Sequence, residues 1–171
     1  MKTRLFSYAT ALAALSFFPA VKATANDDAV KAAASSPLAP SWKLRDVNGK
    51  ELTSADFKGK VVVLDFWATW CPPCRAEIPG YVDLYKKYGK AGLVIVGVSL
   101  DSKGPTVVKK FMDEYKMNYP VVMGDQSIAE QFGGVEAIPT TFLIDREGRI
   151  RHQKVGALET SDYEKLIKSV L

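Results

Sequence analysis

The chain has 171 residues, 47% apolar and 25% charged, the balance of an ordinary soluble protein with one domain and some length to spare. Its formal charge of +4 is partly carried by residues 1–25, which hold three of the 23 cations (Lys2, Arg4 and Lys22) and none of the 19 acids, leaving +1 on the remainder. So even a balance gives no basis for nucleic acid or an anionic membrane surface as a partner.

In chain order, Lys2 and Arg4 make a short positive start, Leu5 to Ala20 is mostly apolar, and Ala23-Thr24-Ala25 supplies small residues at a cleavage position. This predicts a secretory signal peptide over 1–25, cut after Ala25, and a periplasmic location. The alternative, an uncleaved membrane anchor, meets a run interrupted by Ser7, Tyr8, Thr10 and Pro19 that falls short of the ~20 apolar residues needed to span a bilayer. No cysteine lies near the end of the run, so a lipoprotein anchor is excluded. Residues 26–40, rich in Ala, Ser and Pro without sustained periodicity, read as a flexible linker before a single domain over 41–171.

Trp42-Lys43-Leu44 and Lys50-Glu51-Leu52 flank Asn48-Gly49, a hairpin signal, and a short turn at 54–57 follows. Val61 to Trp67 is a near-continuous apolar run, as in a strand buried on both faces. A helix is predicted from the cysteines to Tyr88, with Pro79 as a kink inside it. Leu93 to Leu100 is a second buried strand, Pro105 to Lys116 an amphipathic helix with proline in its first turn, and Val121 to Met123 a short strand. A short helix over 127–132 stops at Gly133. Thr141 to Asp145 and Ile150 to Val155 are strands around a Glu147-Gly148 turn, and Thr160 to Leu171 closes the chain as a helix. Strands alternating with helices imply an α/β fold, a central mixed sheet covered on both faces, with an N-terminal β-hairpin.

The only two cysteines, Cys71 and Cys74, lie where the first buried strand gives way to a helix. A domain of this size needs no disulfide framework, and so short a loop would gain little from one. The pair therefore points to reactivity. Cys71 is placed at the helix N-cap, its sulfur exposed to the positive end of the dipole, where thiolate is stabilised. Cys74 is one turn on and on the same side, and Pro72 pre-sets the first helical position. A metal site would need about four ligands, and only the distant His152 adds to two thiols. Haem attachment would need His where Arg75 stands. Neither a metal nor another cofactor is expected. Asp65, inside Val61–Phe66, is a carboxylate that burial should push toward neutrality as a proton-exchanging group; a strand-edge Asp paired with a cation is the plainer alternative. Trp70 reads as a half-exposed wall beside Cys71, Trp67 as core, and His152 as a surface residue.

The segment Asp65-Phe66-Trp67-Ala68-Thr69-Trp70-Cys71-Pro72-Pro73-Cys74-Arg75 resembles the active-site segment of thioredoxins, and more narrowly that of the TlpA/ResA-like extracytoplasmic thiol–disulfide oxidoreductases. The resemblance continues in Ile138-Pro139-Thr140-Thr141-Phe142-Leu143-Ile144-Asp145 and covers about residues 40–171. It implies a thioredoxin-like fold with a central helix-strand insertion between Asp101 and Gly134. It implies that Cys71 attacks, Cys74 resolves, and Pro139 is a cis-proline whose loop, with Ile138 and Thr140, binds an extended substrate beside Trp70, Pro72 and Pro73. By the same resemblance Asp65 takes the proton of Cys74, although many members of the subgroup carry another residue there. Glu77 matches a glutamate that tunes cysteine acidity, with a dipole-complementing acid as the equal alternative.

The implied activity is reduction of disulfides in periplasmic proteins, apocytochrome c among them, by a monomer supplied with electrons by a membrane protein. Both spacer residues are proline, so neither gives a backbone N–H to the Cys71 thiolate, which favours a reducing couple. Two other readings compete. One is an oxidant or isomerase using the same dithiol. The other is a thiol peroxidase, against which Ala68 stands where a peroxiredoxin carries threonine and no Trp-Asn-Phe stretch occurs. A binding module without chemistry fits poorly with both cysteines and the Pro139 loop.

Overall fold

A computed structural model describes residues 36–171. The signal peptide expected over 1–25, and the linker as far as residue 35, lie outside the described residues. Seven consecutive buried residues form β3 (Val61–Trp67), the strand on which the sheet is organised. Its parallel neighbour is β4 (Leu93–Ser99), and β5 (Val121–Met123) continues the parallel set. On its other side lie β6 (Thr140–Ile144) and β7 (Ile150–Val155), both antiparallel. The hairpin β1 (Lys43–Asp46) and β2 (Glu51–Thr53) joins the far edge through an antiparallel β1–β5 pairing. The strand order is β2-β1-β5-β4-β3-β6-β7.

Four α-helices accompany the sheet among the described residues: α1 (Pro72–Tyr88), α2 (Pro105–Glu114), α3 (Gln126–Gln131) and α4 (Thr160–Lys168). Alternation along β3 sorts the core into two layers. Val61, Val63 and Trp67 pack with Ile78, Tyr81 and Leu84 of α1, Val108 and Phe111 of α2, and Tyr163 and Ile167 of α4. Val62, Leu64 and Phe66 pack on the opposite face with Val96, Val98, Ile128, Phe132 and Phe142. Asp65, odd-numbered like Val61 and Trp67, therefore faces the α1 layer.

Two glycines set close approaches. A Cβ at Gly80 of α1 would stand 2.1 Å from Thr160 Oγ1, so glycine lets the start of α4 reach α1. At Gly97 a Cβ would stand 2.8 Å from Trp67 Nε1, which confirms Trp67 as a core residue lying across β4.

Most element ends fall within two residues of expectation, and the differences have local causes. The second helix stops at Glu114 rather than Lys116, whose φ of 53° ends the helical path. The third starts at Gln126 because Asp125 caps it, its carboxylate accepting the Ile128 N–H at 3.1 Å. The last helix ends at Lys168. α1 runs through Pro79 as one element, which leaves the Arg75 carbonyl without its helical donor. The linker expected over 26–40 does not hold at its end. Pro37 O accepts from Ile150 N, Ala39 N donates to Gly148 O, and Arg149 donates to Ser36 O, so residues 36–39 are bonded to the turn after β6 and the start of β7.

Candidate active site

Cys71 is the N-cap of α1, with extended backbone, and its carbonyl accepts the Arg75 N–H at 3.1 Å. Pro72 and Pro73 fill the first two helical positions, where no intrahelical donor is needed. Cys74 completes the turn and is joined to Cys71 by a disulfide. The Cys74 N–H points at Cys71 Sγ at 3.3 Å, so the attacking sulfur keeps one backbone donor although Pro73 supplies none. Both cysteines are buried in this oxidised state, Cys71 3% exposed and Cys74 2%. The disulfide turns the sulfur inward, and Ile138 O lies 3.7 Å from it.

The loop that covers the disulfide carries Ile138, Pro139 and Thr140, with a cis Ile138–Pro139 bond. Thr140 Oγ1 donates to Ala137 O at 2.7 Å, and Pro139 O accepts the Gly156 N–H at 2.8 Å. Trp70 is 65% exposed, more than a half-exposed wall, because it projects from the β3–α1 loop ahead of the helix. Pro72 and Pro73 are exposed beside it. Ile138 is partly exposed beside Cys71, whereas Pro139 and Thr140 are buried behind it.

Two carboxylates are buried on the elements that flank the cysteines, one on β3 and one on α1. Asp65 is 4% exposed and accepts from Thr141 Oγ1 at 3.2 Å. Burial pushes its pKa up to about 8, the charge of Glu77 adds to that, and the Thr141 bond partly offsets it. Glu77 is 6% exposed; its Oε1 accepts the Leu158 N–H at 2.8 Å, and Oε2 is buried without a partner. Burial raises its pKa too, against the Leu158 bond, the Tyr163 hydroxyl and the Lys154 charge. Asp65 lies inside the central strand and bonds Thr141 rather than a cation, and Glu77 is buried beyond the first turn of the helix.

One element of the site is not evident in the sequence. Asp101, at the end of β4, is buried and accepts from Thr69 N at 2.9 Å, Thr69 Oγ1 at 2.5 Å and Ser99 Oγ at 2.9 Å. It ties the loop ahead of Cys71 to the neighbouring strand. Sequence reasoning missed it because Thr69 and Asp101 are 32 residues apart, and the only signal was an acid just past a buried strand. Arg75 bonds Tyr115 Oη at 2.7 and 2.9 Å and lies over the Phe111 ring, joining α1 to the segment after α2. His152, half-buried on β7, stands apart from the cysteines. No cluster of three or more His, Cys, Asp or Glu side chains able to hold a metal occurs among the described residues.

Residues 37–153 match the AhpC/TSA family. The chain is 40% identical over 134 residues to the thiol-disulfide oxidoreductase ResA of Bacillus subtilis, covering 76% of this chain and 74% of that one. It is 35% identical over 132 residues to ResA of Geobacillus kaustophilus, covering 77% and 75%. Among solved structures, a thiol:disulfide interchange protein of the thioredoxin family from Chlorobium tepidum superposes with a TM-score of 0.73 at 35% identity, over 79% of this chain and 96% of that one. The thioredoxin domain of a thiol-disulfide oxidoreductase from Bacteroides vulgatus gives 0.69 at 30%, over 80% and 97%. A helix-capping cysteine pair on a mixed sheet of thioredoxin-like fold, with these relatives, places the chain in the AhpC/TSA family as a ResA-like thiol–disulfide oxidoreductase.

Proposed function

We propose that the protein is an exported reductant of protein disulfides, with apocytochrome c as one client, kept reduced by a membrane electron donor. The observation that carries the direction is the double-proline spacer. The reduced Cys71 keeps a single backbone donor, Cys74 N–H, where a residue other than proline at position 73 would add a second. A less stabilised thiolate favours the disulfide form of the enzyme and so makes the dithiol a better reductant. The leader over 1–25 supports export.

In this reading the Cys71 thiolate attacks a substrate disulfide, forming a Cys71–substrate bond and releasing one substrate thiolate, which takes a proton from water. Asp65 removes the Cys74 proton. The Cys74 thiolate then attacks Cys71 Sγ, closes the enzyme disulfide and expels the second substrate thiolate. Two electrons pass to the substrate. Glu77 adjusts the acidity of this pair through its charge on Asp65. Trp70, Pro72, Pro73 and Ile138 form the surface on which the substrate lies, and the buried Pro139 and Thr140 hold its loop in place. The protein acts as a monomer and uses no metal.

The test is the redox state of Cys71–Cys74 in the periplasm of a cell expressing the full chain, fixed by acid quenching and counted by alkylation. A mostly reduced pair supports the proposal. A mostly oxidised pair in the periplasm, or retention of the chain in the cytoplasm, overturns it.

A further inference from the structure

β6 pairs with β3 so that Thr141 stands opposite Asp65. Thr141 is buried, and a buried hydroxyl requires partners. Its Oγ1 has three, from three elements: Asp65 Oδ1 of β3 at 3.2 Å, Tyr81 Oη of α1 at 3.3 Å and Tyr163 Oη of α4 at 2.9 Å. A hydroxyl carries one proton and two lone pairs. With Asp65 ionised, one arrangement satisfies all four groups: Thr141 donates to Asp65, and both phenols donate to Thr141. The phenols remain protonated, because burial raises both far above neutrality.

We propose that Thr141, held by Tyr81 and Tyr163, is the positioning residue that orients Asp65 and favours its ionised form, keeping it competent to take the Cys74 proton. This rests on the proposed role of Asp65. Oδ1 is committed to Thr141, which leaves Oδ2 as the oxygen that accepts the proton without breaking the node. The step balances: the Cys74 S–H bond breaks, an Oδ2–H bond forms, and the electron pair stays on sulfur. The titratable or charged groups coupled to Asp65 are Glu77 and Tyr81 from α1, Tyr119 from the segment before β5 and Tyr163 from α4, with Lys154 of β7 and the Tyr163 hydroxyl acting on Glu77. Glu77 opposes ionisation of Asp65, and the Thr141 donor works against it.

The test follows reduced full-chain protein with 5,5′-dithiobis(2-nitrobenzoate) by stopped flow from pH 5 to 10. Attack by Cys71 releases the first thionitrobenzoate, and ring closure by Cys74 releases the second. Thr141→Val removes the hydroxyl and keeps the branched shape. It should move the pH limb of the second phase upward by about one unit, slowing closure about tenfold on the rising limb, and leave the first phase within twofold. Thr141→Ser should restore the limb, and Tyr163→Phe should move it the same way by less. Asp65→Asn should move the limb up to that of the unassisted Cys74 thiol, which loses its proton to water, and slow closure below it. An unshifted limb in Thr141→Val beside a shifted one in Asp65→Asn overturns the inference alone. A limb that Asp65→Asn leaves in place overturns the role of Asp65 and the inference with it. If Thr141→Val does not fold, an unshifted limb in Tyr163→Phe together with a shifted one in Thr141→Ser overturns the inference.

Discussion

Replacing Asp65 by Asn should stabilise the oxidised protein increasingly as pH rises. Asp65 titrates near 3.8 when the chain is unfolded and at about 8 when folded, mainly because burial disfavours its charge. Below about pH 4 both states hold the proton and no penalty exists. Between those values the unfolded chain has released the proton and the folded one retains it, so stability falls with pH by about 1.4 kcal/mol per unit. Above about pH 8 the penalty is complete. At pH 7 it amounts to ~4 kcal/mol, a large share of the 5–15 kcal/mol typical of a domain. Asn accepts from Thr141 as Asp does but cannot ionise. Its amide adds a fixed cost for an unsatisfied donor, on the order of 1–3 kcal/mol, which displaces the curve without changing its slope. Urea unfolding of both proteins at pH 5, 6, 7 and 8 measures the difference. A gap that is constant across this range would refute the burial argument, whatever its absolute size.

Three further outcomes are expected. Cys74→Ser should accumulate a Cys71–substrate mixed disulfide that mass spectrometry detects and dithiothreitol reverses, whereas Cys71→Ser should form no adduct. Asp101→Asn replaces an acceptor facing three donors with a mixed group, and thermal unfolding should show a loss of about 1–3 kcal/mol with slower disulfide exchange, as the Thr69 loop loosens. Gly80→Ala should destabilise by about 1–3 kcal/mol despite alanine's better helix propensity, because its Cβ meets Thr160 Oγ1; adding Thr160→Ala removes the clashing atom and should recover most of that loss in chemical denaturation.

Legibility in the sequence followed the range of the interaction. The buried runs at Val61–Trp67 and Leu93–Ser99, the Asn48-Gly49 turn and the Pro105 helix start are local signals, and each marks its element within a residue or two. Trp67 read as core is core. What local pattern cannot carry is which edge an element joins. The hairpin pairs with β5, about 75 residues later, and residues 36–40 bond to the turn after β6. The candidate site divides the same way. The cysteine pair at a helix start and the costly acid inside β3 are visible in the chain, because spacing and burial pattern expose them. The Asp101–Thr69 tie and the Thr141 node join residues 22 to 76 positions apart, and nothing in the local sequence marks Thr141 among its apolar neighbours as a junction. Exposure also escaped local reasoning, since Trp70 and Cys71 are adjacent in sequence yet opposite in accessibility.

Whether the double-proline spacer makes this dithiol a reductant is tested most directly by the equilibrium reduction potential of the purified protein against a glutathione or dithiothreitol buffer. The expected value is about −250 mV, close to thioredoxin. A value near −120 mV, that of a strong oxidant, would contradict it and recast the protein as a disulfide donor.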